Sequence, residues 1–104
     1  MKLITKAIQE KLDKNFAEGN NEDIPMKLFN PCGAATWLIT QMEPDGDIMW
    51  GLCDLGMGCV EYGTVSLSEI KSVKLPFGLS IERDLHWNGG KVSDFSGRDS
   101  LAGC

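Results

Sequence analysis

The chain is poor in the residues that metal and redox sites require, with one histidine and four cysteines in 104 residues. Structural zinc ligands favour pairs about two to four residues apart. Here the closest cysteines, Cys53 and Cys59, have five residues between them. Cys32, Cys53, Cys59 and Cys104 are therefore read as buried or incidental thiols, and no metal is expected. Long hydrophobic runs are missing too, since no stretch approaches the ~20 apolar residues that span a bilayer. The N-terminal MKLITKAIQEKLDKNF carries lysines at positions 2, 6, 11 and 14, with no apolar core or cleavage site of a signal peptide. The expectation is a cytoplasmic protein with no membrane partner.

Positive charge is also short, with Lys and Arg together numbering 10 against 15 Asp and Glu, a net charge of −5. Direct nucleic-acid binding needs Lys and Arg clustered to neutralise phosphates, and is not expected here. An acidic surface fits a basic protein surface or a protein–nucleic-acid complex better. Nucleotide chemistry lacks its loop: Gly56-Met57-Gly58 has neither the third glycine of a dinucleotide fingerprint nor the Lys-Ser/Thr of a P-loop. No cofactor is expected.

What the chain does have is the composition of a folded domain, 42% hydrophobic and 24% charged. At this length it buries roughly 60 to 65% of the surface exposed by the unfolded chain, enough for one modest core. Leu3, Ile4, Ala7, Ile8, Leu12 and Phe16 recur at helical spacing behind a capping Thr5, which predicts a helix over about Lys6 to Asn15. Residues 17 to 24 read as a loop, Met26 to Phe29 as a short strand, and Asn30 to Gly33 as a turn.

The clearest local signal is the hairpin ATWLITQM, EPDG, DIMWGLCD. Pro44-Asp45-Gly46 suits a type I turn with a G1 bulge, pairing Glu43 with Asp47. That register puts Leu38, Thr40 and Met42 with Ile48, Trp50 and Leu52 on one face, and Trp37, Ile39, Met49 and Cys53 on the other. Both faces are apolar, so either the chain folds back over both or one remains a partner site. A strand over about Val60 to Val65 and a capping box Ser66-Leu67-Ser68-Glu69, stapled by Val65 and Ile70, predict a second helix over Leu67 to Val73. From Asn88 onward four glycines and three serines predict a loose tail, in which Phe95 is the candidate to pack back, with residues 1–87 as the globular domain. These elements compose an α+β fold: an antiparallel sheet of about four or five strands, an N-terminal helix and one short capped helix.

MKLITKAIQEKL, YGTVSLSEIKSVKLPFGLSIERDLHW and their separation resemble a bacterial and phage family known as domain of unknown function number twenty-nine fifty-eight. The likeness spans roughly residues 1 to 87 and is most specific at "SLSEI" and "GLSIERDLHW". The resemblance implies a small protein without an established activity, often carried on phages, plasmids and integrated elements. It supplies no catalytic residue.

Chemistry-bearing side chains concentrate in two places. As a strand, residues 81 to 87 would put Glu82, Asp84 and His86 on one face, a set able to tune a general base or hold a divalent metal. Arg83, between the acids, would instead run along the core and fork onto a carbonyl or an acid. Glu43, Asp45 and Asp47 gather at the hairpin tip. No nucleophile stands in a recognisable setting. The sequence thus favours a non-enzymatic binding module that presents Glu82, Arg83, Asp84 and His86, with Glu43, Asp45 and Asp47, to a host protein or protein–nucleic-acid complex. With the resemblance, the specific form of this expectation is a counter-defence inhibitor of the anti-CRISPR or anti-restriction type. The alternatives are a small enzyme or metal-binding protein using Glu82, Asp84 and His86, and a protein that sequesters a signalling ligand stacked on Trp37 or Trp50.

Overall fold

A computed structural model describes residues 2–56, 58 and 60–95. Met57 of the Gly-Met-Gly turn, Cys59, Cys104 and residues 96–104 of the expected tail lie outside the described residues. The first helix, α1 (Lys6–Glu18), opens on Thr5, whose hydroxyl accepts the Ile8 N–H at 3.2 Å. It continues one turn past the expected end, because Ala17 and Glu18 are helix-compatible and the stop comes at Gly19. Gly19 takes the left-handed conformation, φ 67°, that caps helices without a Cβ penalty. Leu12 is fully buried on the inner side, a placement contributing on the order of 2 kcal/mol.

The sheet comprises β1 (Met26–Phe29), β2 (Thr36–Met42), β3 (Ile48–Asp54), β4 (Val60–Ser66) and β5 (Glu82–Arg83), with α2 (Leu67–Ser72) after β4. Its order is β4-β3-β2-β1-β5, antiparallel throughout. The fold is α+β, with five strands. β5 is far shorter than the strand expected over 81 to 87. After Arg83 the Asp84 carboxylate accepts the His86 N–H at 2.8 Å and the Asp84 carbonyl accepts the Trp87 N–H, so the chain turns and strand alternation ends.

The β2–β3 pairing follows the expected register at its base, with Trp37 opposite Cys53 and Leu38 opposite Leu52, and departs from it toward the tip. The register shifts between Ile39 and Gln41, so that Met42 lies opposite Met49. Thr40 is the extra residue of a bulge, and the turn accommodates it: Glu43 N–H donates to the Ile48 carbonyl rather than pairing with Asp47. The bulge is fastened by side chains. Asn15, buried on α1, donates to the Thr40 carbonyl at 2.9 Å, and Gln41 donates to the Asn20 carbonyl at 2.7 Å. Thr40 Oγ1 lies 3.1 Å from the Trp50 carbonyl and 2.8 Å from the Tyr62 hydroxyl. Opposite this site a Cβ on Gly51 would stand 2.1 Å from the Leu38 carbonyl oxygen, so only glycine fits.

Both faces of the sheet are covered. On one, α1 and α2 close over Met26, Leu28, Trp37, Ile39, Met42 and Met49. Met42 joins this face because of the bulge. On the other, Ile24 and Phe95 pack on Leu38 and Leu52, with Trp87 and Val92 beside them. The first part of the segment expected to be loose is therefore docked. Ile24 N–H donates to the Gly90 carbonyl and Val92 N–H to the Glu22 carbonyl, while Lys91 pairs with Asp23 at 2.7 Å. The lower face of the hairpin, the one that carries Leu38 and Leu52 away from the helices, supplies the reason, since Phe95 has somewhere to bury.

Candidate functional site

Three residues of the charged segment 82–87, Arg83, Asp84 and Trp87, tie parts of the chain together. Arg83, opposite Leu28 on β1, donates through Nη1 to the Lys2 and Leu3 carbonyls at 2.9 and 2.8 Å. One guanidinium thus holds the chain's first residues against the sheet edge. Asp84 donates its N–H to the Lys27 carbonyl, accepts the His86 N–H, and lies 3.6 Å from Lys27 Nζ. Trp87 Nε1 donates to the Ile24 carbonyl at 2.8 Å, and its ring lies under Lys27 Nζ. His86 is exposed on the turn. Glu82, Asp84 and His86 do not form a cluster: among the described residues no three of His, Cys, Asp and Glu come together as a metal-binding group.

The acidic tip of the hairpin is equally committed. Glu43 accepts the Trp50 indole N–H at 2.8 Å. Asp45 accepts the N–H groups of Asp47 and Ile48, an Asx turn that fixes the loop. Asp47 reaches across to α2, accepting the Ser68 N–H and the Ser66 hydroxyl at 2.8 and 2.7 Å, while its carbonyl accepts the Leu67 N–H. Ser66 in turn accepts the Glu69 N–H. The donors from Ser66 and Ser68 hold the Asp47 carboxyl below its ordinary range. Trp37 lies in the helix-side core, and Trp50 is half-buried and stacked on Tyr62 with ring centroids 6.2 Å apart. Burial, with Glu61 adding to it, pushes the Cys53 thiol up, away from the reactive thiolate form.

Another feature lies apart from these charged segments, around an exposed aromatic turn. After α2, Pro76–Gly78 makes one tight turn, closed by Leu79 N–H to the Pro76 carbonyl, with Leu75 N–H donating to the Leu79 carbonyl. Phe77 lies at φ 63°, ψ 24° and Gly78 at φ 72°. Positive φ at both central positions is the type I′ requirement, which Asn-Gly meets cheaply and a bulky side chain does not. The strain on Phe77 is of the order of 1 to 2 kcal/mol. No side chain caps the turn, and Phe77 is 96% exposed.

Beside this turn runs a groove of about 890 Å³ between the start of α1, α2 and residues 78–82. Its apolar surface comes from Leu3, Ile4, Leu67, Ile70, Leu79 and Ile81. Lys2, Lys6 and Lys71 also line it, against a single acid, Glu82. Arg83 shapes one wall by fixing Lys2 and Leu3. Of the segment's charged residues, only Glu82 enters the groove lining. The available signal was "LPFGL", where an aromatic occupies the position before glycine that this turn type reserves for Asn or Asp.

The family model described as "Protein of unknown function (DUF2958)" matches residues 3–98. The chain belongs to the DUF2958 family. The match reaches past Trp87 to include the docked segment 88–95, so Phe95 and the lower face of the sheet lie within the matched region of this DUF2958 protein. No curated protein and no solved structure matches the chain. Among the described residues of this DUF2958 protein, no helix is long and apolar enough to cross a membrane.

Proposed function

We propose that this DUF2958 protein is a non-enzymatic binding module that docks on a host protein, alone or within a protein–nucleic-acid complex, through the Phe77 turn and the adjoining groove. The observation that carries the reading is Phe77 itself: a large aromatic, 96% exposed, on a backbone conformation that disfavours it. The backbone strain lowers stability and the exposed ring gains no burial in return, whereas a ring that enters a partner's pocket is buried there, where aromatic anchors contribute most of an interface's energy. The charged residues support the same reading by their commitments. Arg83 and Asp84 hold chain segments in place, and Asp47 caps α2. The groove lining combines an apolar surface with no histidine or cysteine. A counter-defence role is the specific form we propose, and it rests on the phage and mobile-element carriage implied by the family resemblance.

Affinity purification from the bacterial host, with wild type, Phe77→Gly and His86→Ala as parallel baits, tests the proposal. A host protein retained by wild type and His86→Ala and lost from Phe77→Gly is the expected result. Equal retention by Phe77→Gly overturns it. Restored plating of a restricted phage on cells expressing the wild type, and not Phe77→Gly, is expected of the counter-defence form.

A further inference from the structure

The groove carries an electrostatic signature opposite to that of the chain. The whole protein has net charge −5, yet the charged side chains lining the groove are Lys2, Lys6, Lys71 and Glu82, three positive to one negative. Lys2, Lys6 and Lys71 are all exposed. Local inversion of sign around an apolar floor selects a partner by charge complementarity. Resting on the binding-module reading above, we infer that the groove's occupant is an acidic peptide segment with bulky apolar anchors, presented by the partner protein. The anchors lie on Ile4, Ile70 and Leu79, and the carboxylates face Lys2, Lys6 and Lys71.

A peptide suits this surface better than the other anions. Nucleic acid needs several clustered cations and bases stacked on aromatic rings. The groove lining holds three lysines and no aromatic residue, and the rest of the acidic chain repels phosphates. A peptide supplies apolar side chains and carboxylates on the scale of a groove of about 890 Å³, in the manner of segments that lay an apolar face into a cleft.

The test selects a random displayed peptide library on the immobilised full chain, then measures recovered peptides by fluorescence anisotropy against wild type, Phe77→Gly and the paired substitution Lys6→Glu, Lys71→Glu. Far-UV circular dichroism and the thermal midpoint check that each variant folds, and Lys6→Gln, Lys71→Gln replaces the charge-reversed pair if it does not. The expected peptides combine Asp and Glu with Leu, Phe or Trp, and bind the charge-reversed chain roughly tenfold or more weakly, as loss of close charge pairs requires. Neutral or basic peptides, or peptides indifferent to charge reversal yet lost with Phe77→Gly, overturn the acidic class and leave the binding-module reading standing. Peptides indifferent to both substitutions, or no peptide recovered, overturn the inference, and indifference to both counts against the module as well. Oligothymidylate or phosphatidylglycerol vesicles are the remaining arms. Tighter binding by either, lost on charge reversal, overturns the peptide assignment.

Discussion

Two of the turns that contain proline and glycine within a few residues, those after Glu43 and after Leu75, are built in opposite ways. In the hairpin turn Pro44–Asp47, Glu43, Asp45 and Asp47 each accept hydrogen bonds from a neighbouring indole, from backbone or from α2. In the turn at Pro76–Gly78 no side chain caps the backbone, and the one large side chain projects into solvent from a strained residue. Charge density marked the first turn as a candidate surface. The structure shows its carboxylates used internally, so exposed charge in the sequence was a guide to scaffolding, and an unsupported aromatic is the stronger pointer to a partner.

Substitutions sharpen the contrast, beginning in the hairpin. Gly51→Ala is expected to be the most damaging, costing about 3 kcal/mol or more in urea unfolding, because the added Cβ meets the Leu38 carbonyl at 2.1 Å with backbone on both sides. Asp47→Ala removes the acceptor for Ser66 and Ser68 and should lower the midpoint in the same measurement, by less than Gly51→Ala does. Phe77→Gly reverses the sign, raising stability by about 1 kcal/mol through relief of the positive φ. If it destabilises by a similar amount, the ring is packing rather than presenting.

Acid provides a gentler probe of the committed carboxylates. Glu22 is held low by Ser93, Asp23 by Lys91 and Asn20, and Asp47 by Ser66 and Ser68. Groups with depressed folded values contribute stability that is fully present above their ordinary values of 4.5 for Glu22 and 3.8 for the aspartates, and that is lost as pH falls through the lowered ones. The urea midpoint should therefore fall on acidification below that range, and fall less in Asp47→Asn. His86→Ala is expected to have the smallest effect, within about 0.5 kcal/mol, as for an exposed residue on a turn.

Much of the fold was readable because it follows from local chemistry. Thr5 and Ser66 as caps, the Met26–Phe29 strand, the two hairpin strands and the place of Val65 and Ile70 in one core cluster all follow from spacing and residue type. The departures are tertiary. Thr40 bulges because Asn15, distant in sequence, holds its carbonyl, and that displaced the register by one residue toward the tip. Segment 88–95 docks because the sheet's second face was available to Phe95 and Trp87, which glycine content alone does not reveal. The groove unites residues far apart in the chain, Leu3 with Ile81, and no local pattern announces such a meeting. Phe77 was legible in principle, as a residue ill-suited to its turn, but its positive φ is set by the hydrogen bonds that close the turn.

The central claim is that the Phe77 turn is presented for binding while the charged segments serve the scaffold. The most direct measurement is the affinity of Phe77→Gly for the host protein captured by wild type, determined by biolayer interferometry on chains that circular dichroism shows to be folded. A loss of roughly tenfold or more, as for an aromatic hot spot, is the predicted result. Affinity equal to that of wild type would contradict the account.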